Sequence, residues 1–482
     1  MSLGKKAVLA VLWNSFGNYI GSAINFFSQL ILVRLLLPED FGIFALAVSI
    51  IEIIPFLTSW SFSIAIIQMP EQKDLINTAF WLSLIEAIIL FVVSLGIFLF
   101  LQIHYPNKIE LSLVFLFIAF SRGINLLSAV YAACMEKDLH YKNLSLLRSI
   151  INIVSVVAAV SSAIFGFGVW SLVVKELVTS VLCLVSFKYI SKWKFEWRFS
   201  INIAKSLLHF NTKMLFSRGL EVIHFKIDSF LVGILSGTNI LGYYAQARYL
   251  ADVTNAISAP GTVVAALPVY SKIQNDEKKL KEAIRLSNFF LIRFMLPFSL
   301  LFLIFPYEVV KLLLGEKWER VGLPLQWLAL YPLLVPVFEN LKTLLYGIGK
   351  VGTVAYIRLT QILIAIILIV LGIKFYGLAG AVIGFIISMI VGVLMIYIAT
   401  SRYSFYSLKS NIFIPLISVL ISIFSAYLIK IFFSEVHGLR NIFLMTLSVL
   451  IYFFGLYLFE RKTLIVNLQI IYNYLKPDRK NS

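Results

Sequence analysis

The sequence has few charged residues and almost no cysteine. Only 13% of its 482 residues are Asp, Glu, Lys or Arg, and Cys134 and Cys183 are its two cysteines. Soluble domains contain about 25% charged residues. The composition therefore excludes a soluble enzyme, a disordered chain and a nucleic-acid-binding module. Two cysteines in or beside apolar runs provide neither a disulfide framework nor a metal motif, and we expect no cofactor.

Apolar residues dominate instead, at 60% of the chain. A membrane-spanning helix needs about 20 apolar residues, and runs of that length recur throughout. Lipid offers no partner for backbone N–H and C=O groups, so each run must be helical. The sequence predicts an all-α polytopic membrane protein with about 14 transmembrane helices. The predicted spans are 8–33, 41–67, 76–102, 110–134, 146–166, 168–187, 207–235, 241–267, 286–307, 322–346, 353–373, 376–399, 411–433 and 440–459.

The basic residues predict the orientation of these spans. The formal net charge is +17, from 41 Lys and Arg against 24 Asp and Glu. In the predicted loops, basic residues are three times as frequent on the side of the two termini as on the other side. Cytoplasmic loops carry such an excess, so we expect both termini in the cytoplasm.

An internal repeat is visible at an offset of 200 residues. A second match, at an offset of 209, pairs Phe167-Gly168 with Tyr376-Gly377. These matches predict two six-helix lobes related as a parallel repeat, at 1–195 and 196–403, with two additional helices in 404–482. The alternative is chance, because Gly and Ala are common in membrane helices. The pairs at offset 200 are Leu35/Leu235, Gly42/Gly242, Phe44/Tyr244, Ala45/Ala245 and Ala47/Ala247.

Two segments carry a family resemblance. The first is RLLLPEDFG at 34–42, and the second combines Asp228, GILSG at 233–237 and LGYYAQA at 241–247. Together they resemble the Wzx-type polysaccharide and lipopolysaccharide flippases of the multidrug/oligosaccharidyl-lipid/polysaccharide (MOP) exporter superfamily. The resemblance implies a fold like that of the superfamily's multidrug (MATE) transporters.

The resemblance also implies a function. Such a protein moves undecaprenyl-pyrophosphate-linked glycan repeat units from the cytoplasmic to the periplasmic leaflet of the bacterial inner membrane, for O-antigen, capsule or exopolysaccharide synthesis. The implied mechanism is alternating access coupled to an ion gradient. The implied partners are the lipid-linked oligosaccharide, membrane lipids, and a polysaccharide polymerase with its chain-length machinery, and no nucleic acid is implied.

Two alternatives stay open. A cation-coupled drug antiporter of the same superfamily would have 12 spans and a more acidic site. A membrane-embedded polysaccharide polymerase would need catalytic residues on substantial loops, whereas the predicted outer loops are short and no nucleophile–base motif is visible.

Basic residues inside the predicted spans are candidates for substrate binding. A charge at a helix centre costs about 2.5–3.5 kcal/mol on insertion scales, so these residues should face water or pair internally. Lys213, Lys342 and Arg358 lie near cytoplasmic ends, where we expect them to snorkel. We expect a cationic cavity between the lobes, because Arg and Lys bind phosphate oxygens well. Its candidates are Arg122, Lys175, Arg218, Lys226, Arg248 and Arg293.

Internal ion pairing is the alternative for these cations. Arg248 and Asp252 lie one helical turn apart, and Arg218 and Glu221 have i,i+3 spacing.

Acidic and amide side chains form two further groups of candidates. Glu52, Glu221 and Asp228 are candidates for binding a coupling proton or cation, with structural ion pairing as the alternative. Along the first span, a polar stripe could bind sugar hydroxyls or hold helices together by hydrogen bonds. The stripe consists of Asn14, Asn18, Asn25 and Gln29.

Overall fold

The computed structural model describes residues 3–53, 62–70, 72, 74–104, 109–138, 140–259, 266–401, 413–432 and 439–475. Every regular element within these ranges is a helix. The helices are α1 Leu3–Leu35, α2 Pro38–Ile53, α3 Phe62–Gln68, α4 Leu75–His104, α5 Ile109–Lys137, α6 Tyr141–Ile164, α7 Trp170–Ile190, α8 Ile201–Ser236, α9 Thr238–Ala259, α10 Ala266–Lys272, α11 Glu277–Ile304, α12 Pro306–Leu313, α13 Gly322–Trp327, α14 Tyr331–Gly347, α15 Val351–Thr400, α16 Ile414–Phe432 and α17 Leu439–Leu475, with 3₁₀ turns at Glu316–Val321 and Leu328–Leu330.

The helices are of a kind that crosses membranes. In the described ranges, eight are long and apolar enough to span a bilayer. This confirms the all-α, multi-pass class, and the count of 14 spans stays a prediction.

The longest helix contains a chain reversal. Val351–Thr400 has 50 residues, and Gly377 within it has φ 58° and ψ −139°. That conformation favours glycine. A Cβ on Gly372 would lie 2.3 Å from the carbonyl oxygen of Gly380. Residues on either side of Gly377 thus face each other, so α15 consists of two antiparallel helices, as 353–373 and 376–399 predict.

The chain groups into two compact units. The first contains Met1–Ala247, Leu313–Arg320 and Ala355–Ser388, and the second contains Arg248–Leu312, Val321–Val354 and Met389–Ser482. The division into 1–195, 196–403 and 404–482 stays a prediction.

In the first unit, the predicted spans pack around α5 and α6. Helix α5 packs against α2, α4 and α7, and α6 packs against α1 and α7. Helix α2 also packs against α8. Small and apolar side chains fill these contacts, including the fully buried Ala65, Ala79 and Val130 between α3, α4 and α5. Helices α5 and α8 are therefore both neighbours of α2. Of the candidate charged residues, Glu52 lies on α2, Arg122 lies on α5, and Lys226 is one of four on α8.

Repeat-related residues touch each other in the first unit. A Cβ on Gly42 would lie 1.7 Å from the carbonyl oxygen of Thr238, and a Cβ on Gly242 would lie 1.8 Å from that of Pro38. Gly42 and Gly242 are equivalent at the offset of 200, and so are the residues that they meet, Thr238 and Pro38. Reciprocal contacts of this kind arise at a two-fold axis. They support the interpretation of 34–47 and 234–247 as repeated segments.

The C-terminal end of α1 is closed by residues far along the chain. Trp318 is fully buried, and its Nε1 donates to the carbonyl oxygen of Val33 at 2.8 Å. The Lys317 Nζ donates to the carbonyl oxygens of Arg34 and Leu36, each at 2.8 Å. The last carbonyls of a helix have no intrahelical donor. These side chains supply the missing donors for α1.

The second unit is organised around α11. This helix packs against α14, α16 and α17. Its buried Ile292, Leu296 and Leu300 form one apolar cluster with Val419 of α16 and Tyr452 of α17. The two last described helices are thereby fixed to the body of the second unit.

Candidate functional site

The six predicted substrate-binding cations are divided between the two units. Arg122, Lys175, Arg218 and Lys226 belong to the first, and Arg248 and Arg293 belong to the second. These cations differ in how far neighbouring carboxylates in the protein already neutralise their positive charges.

One carboxylate holds two of the cations. The Glu52 Oε1 accepts a hydrogen bond from Arg122 Nη2 at 3.0 Å, and its Oε2 lies 3.1 Å from Lys226 Nζ. Glu52 is on α2, Arg122 is near the middle of α5, and Lys226 is on α8. The structure thus brings together two predicted substrate-binding residues and one predicted coupling residue. We call Glu52, Arg122 and Lys226 the charged triad.

The charged triad keeps one unbalanced positive charge and stays accessible. Its side chains are 25% exposed for Glu52, 36% for Arg122 and 35% for Lys226. The Arg122 Nε is buried and has no hydrogen-bond partner among the described residues. A guanidinium has five N–H donors in a fixed fork. The triad can therefore bind an additional anionic group, with Arg122 providing directional donors.

Two residues of the polar stripe bond to other helices. The Lys175 Nζ of α7 donates to Asn25 Oδ1 of α1 at 3.2 Å. The Gln29 Nε2 donates to Gln246 Oε1 of α9 at 3.0 Å. Gln29 thus acts as an interhelical contact, which is the structural alternative for the stripe, while Asn25 meets a predicted substrate-binding cation.

The other two stripe residues are Asn14 and Asn18. Asn18 is exposed, and the Asn14 side chain lies outside the described residues. Their roles in binding sugar hydroxyls or in holding helices together stay predictions.

Asp228 is fully buried on α8. Its Oδ2 accepts a hydrogen bond from the Tyr244 hydroxyl at 2.5 Å, and its Oδ1 accepts one from the Ser229 N–H at 2.7 Å. These contacts join α8 to α9 and favour the structural alternative for this carboxylate. Arg218 is exposed and Glu221 is half-buried on the same helix. Their roles in substrate binding and ion coupling stay predictions.

The expectation that Lys342 and Arg358 snorkel is wrong. They are 6% and 1% exposed. Lys342 pairs with Glu339. Arg358 donates to Gln361 Oε1 at 3.1 Å and lies 5.2 Å from the centre of the Phe225 ring. Both cationic groups are therefore held inside the protein, with a carboxylate beside Lys342 and a neutral amide and a ring beside Arg358. The Lys213 side chain lies outside the described residues.

In the second unit, Arg248 lies over the ring of Tyr331 at 4.3 Å from its centre. Asp252 Oδ2 lies 4.0 Å from Arg248 Nη2, and its Oδ1 accepts a hydrogen bond from the Tyr331 hydroxyl at 2.5 Å. The i,i+4 pairing that the sequence offers as the alternative for Arg248 is therefore present, with the two charged atoms 4.0 Å apart.

Arg293 has the most complete neutralisation of the six cations. Its Nε donates to Glu460 Oε2 at 2.6 Å, its Nη2 pairs with Glu460 Oε1, and its Nη1 donates to the carbonyl oxygen of Phe289 at 2.9 Å. Both charged side chains are buried. The pair joins α11 to α17, which is the structural alternative for Arg293.

Glu460 was missed by the sequence reasoning because it directly follows the last predicted span, 440–459. The available signal was a carboxylate at the edge of an apolar run, in a chain with only 24 Asp and Glu. Within the described ranges, no three His, Cys, Asp or Glu side chains are placed to hold a metal ion.

Comparisons with known proteins agree on the nature of the chain. Residues 31–322, more than half of the chain, match the model of a family described as "Polysaccharide biosynthesis protein". The Succinoglycan biosynthesis transport protein ExoT of Rhizobium meliloti (strain 1021) is 23% identical over 68% of this chain and 66% of its own length, just under two thirds. The Lipopolysaccharide biosynthesis protein WzxC of Escherichia coli (strain K12) is 23% identical over 82% of this chain and 81% of that protein.

A solved structure shows the same fold. The structure titled "Lipid II flippase MurJ, inward closed conformation" aligns with a TM-score of 0.73 at 15% identity. The alignment covers 95% of this chain and 100% of that one. At this identity the likeness concerns the fold.

Proposed function

Because the chain belongs to the polysaccharide biosynthesis protein family, as segments 34–42 and 228–247 indicated, we propose that it is a flippase for a lipid-linked oligosaccharide. The chain is a membrane transporter and no enzyme. Its proposed cargo is an undecaprenyl-pyrophosphate-linked glycan repeat unit, moved from the cytoplasmic to the periplasmic leaflet of a bacterial inner membrane. Both termini are in the cytoplasm, and the product passes to a polysaccharide polymerase.

The charged triad carries the proposal. A pyrophosphate needs cationic partners to cross the apolar centre of a bilayer, and Arg122 lies near the middle of an apolar helix. Arg122 supplies donors in a planar fork and Lys226 supplies a mobile point charge. Glu52 holds both cations while no phosphate is bound. On binding, Arg122 and Lys226 exchange the carboxylate of Glu52 for a phosphate, so both cations have an anionic partner before and after the substrate binds.

The same exchange connects the substrate to an ion. When a phosphate takes over Arg122 and Lys226, the carboxylate of Glu52 loses both of its cationic partners. A carboxylate that loses its cationic partners is free to bind a coupling proton or cation in their place. Glu52 is therefore our candidate for the coupling step. Glu221 is the second candidate, and Asp228 is the weakest because its oxygens already accept hydrogen bonds.

The names of the relatives fit a transporter whose sugar specificity varies. They refer to succinoglycan, lipopolysaccharide and lipid II. We propose that the phosphate-binding triad serves the lipid carrier and that the sugar is recognised elsewhere, with Asn18 and Asn25 of the polar stripe as candidates.

The test uses a strain that lacks this protein. It is complemented with the wild type, Arg122→Gln or Lys226→Gln, and the expression level of each variant is measured. The lipid-linked repeat units are then extracted and assigned to a membrane face. Both variants should accumulate complete units on the cytoplasmic face, with surface polysaccharide reduced by at least about tenfold, as expected for a lost charge-assisted contact of about 1.5–3 kcal/mol.

Arg148→Gln is the matched control. Arg148 also pairs with a carboxylate, Glu136, at 3.2 Å, and its side chain is 46% exposed. This pair lies near helix ends, so its loss should leave export unchanged. Normal periplasmic exposure of the units in Arg122→Gln would contradict the role of the triad. Single repeat units already on the periplasmic face of the deletion strain would indicate a polymerase instead.

A further inference from the structure

The connection between α7 and α8 has a two-sided pattern. Residues 191–200 (SKWKFEWRFS) are not helical. In an extended chain, successive side chains point to opposite sides. Trp193, Phe195 and Trp197 alternate with the basic residues Lys192 and Lys194. We call residues 191–200 the aromatic linker.

The aromatic side of the linker packs against two helices. The ring of Trp193 lies 5.1 Å from Tyr131 of α5 and 5.7 Å from Phe80 of α4. The Phe195 ring lies 4.9 Å from Phe80. The Trp197 ring lies 5.3 Å from Trp81 of α4. Ring pairs at these distances are favourable beyond their buried area, so the linker is held along the first turns of α4.

Backbone hydrogen bonds fix the linker at the same place. The Glu196 N–H donates to Asn77 Oδ1 at 3.1 Å, and the Ser200 N–H donates to Thr78 Oγ1 at 3.2 Å. Both acceptors belong to the first turn of α4. The linker is therefore a built surface of the first unit.

Its position corresponds to a bilayer boundary. A candidate membrane span begins at Leu75. Trp81 is six residues further on, which is about 9 Å along a helix. Side chains of interfacial segments reach about 5–10 Å into the boundary between headgroups and acyl chains. Tryptophan is enriched at this level.

The linker exposes positive charge on its basic side and part of one ring on its aromatic side. Trp197 is 84% exposed although Trp81 covers part of it, and the preceding Tyr189 is 90% exposed. Lys192 and Lys194 are exposed, and no ion pair involves them within the described residues. Arg198 is already paired with Glu196 at 3.0 Å. The linker thus exposes two ammonium groups on its basic side and one indole at the edge of its aromatic side.

We propose that the aromatic linker is a docking surface for anionic phospholipid headgroups, which bind Lys192 and Lys194 while Trp197 inserts at the level of the lipid glycerol. We choose anionic phospholipids as the ligand because basic clusters at a membrane surface attract anionic lipids. The linker fixes α7 and α8 relative to that lipid layer. This surface is separate from the charged triad and does not depend on the proposed cargo.

The experiment measures tryptophan quenching in the full chain. The protein is placed in nanodiscs with brominated phosphatidylglycerol or, at the same mole fraction, brominated phosphatidylcholine. Eight tryptophans fluoresce in this chain, so the Trp197 signal is the difference between the wild type and Trp197→Phe. We expect at least about twofold stronger quenching of that signal by phosphatidylglycerol, as attraction of two lysines to an anionic headgroup implies.

A double variant and a matched control test the charge. Lys192→Gln/Lys194→Gln should bring the quenching ratio to about one, by loss of both ammonium groups. Lys272→Gln/Lys278→Gln removes two exposed lysines from the α10–α11 region, outside the aromatic linker, and should keep the preference.

Three outcomes would overturn the proposal. They are equal quenching by the two lipids, loss of the preference in the control variant, and loss of the preference on addition of soluble pyrophosphate, which would assign the lysines to a free phosphate.

Discussion

The reciprocal glycine contact allows a quantitative test of the packing. Gly42→Ala places a methyl group 1.7 Å from the Thr238 carbonyl oxygen, whereas ordinary contacts begin at 3.4 Å. The two backbones must therefore separate by more than an ångström. The obstructing atom belongs to the backbone and cannot rotate away. Overpacking typically costs about 1–3 kcal/mol, and we expect Gly42→Ala to lie at the upper end, near 3 kcal/mol.

Gly242→Ala should cost a similar amount, because its methyl group would lie 1.8 Å from the Pro38 carbonyl oxygen. The same separation of α2 and α9 relieves both clashes. The double variant Gly42→Ala/Gly242→Ala should then be little less stable than either single variant. Such non-additivity is expected of residues that share one contact.

The assay is reversible unfolding in mixed micelles, followed by tryptophan fluorescence as the denaturing detergent is increased. Gly96→Ala is the matched control. It also lies within an apolar helix, nothing lies within 4 Å of its new Cβ, and alanine favours the helix by up to about 1 kcal/mol. Equal stability of Gly42→Ala and Gly96→Ala would refute the packing argument, and fully additive costs in the double variant would refute the shared contact.

Three further predictions follow from other contacts. Glu460→Gln should lower the free energy of unfolding by about 3–5 kcal/mol in the same assay, because it leaves the Arg293 charge buried and uncompensated. A loss below about 1 kcal/mol, which is what exposed ion pairs contribute, would contradict this prediction. Trp318→Phe should lower stability by about 1–3 kcal/mol, since the Val33 carbonyl loses its donor; unchanged stability would mean that this hydrogen bond contributes nothing. The backbone N–H of Lys279 holds the pKa of Asp276 below its usual 3.8. This cap should therefore stabilise the start of α11 fully above pH 3.8 and lose its effect as the pH falls through the lowered pKa. Hydrogen exchange of the first turn of α11 should differ between wild type and Asp276→Ala at pH 7 and converge in strong acid, and a difference that persists in strong acid would contradict the assignment.

Properties that depend on residues close together in the sequence could be predicted from the sequence. The apolar runs predict helices, and the α15 hairpin is visible in the spans on either side of Tyr376-Gly377, because hydropathy and a glycine turn are local signals. Cations inside apolar runs are equally visible, which is why Arg122 and Lys226 could be singled out. The match at offset 200 also pointed to Gly42 and Gly242, which meet in the structure.

The partners of those charges could not be predicted. Glu52 is 70 residues from Arg122 in sequence and is brought to it by the packing of α2 on α5. Only the tertiary arrangement determines that one carboxylate serves two cations. The same reason explains the error on Lys342 and Arg358. Proximity to a predicted span end suggested exposure, but neighbours on their own helices and on α8 bury both side chains.

The closure of α1 by Lys317 and Trp318 has a consequence for synthesis of the protein. The hydrogen bond from Trp318 to Val33 joins residues 285 positions apart. A ribosome adds about 5–20 residues per second, so the last carbonyls of α1 wait for about 14–57 s before their donors exist. Most of the other helices of the first unit are made during that interval. Helix α1 is therefore made before the other helices of the first unit but completed after most of them. A nascent chain arrested before residue 317 should expose the end of α1 to proteases that the finished protein resists.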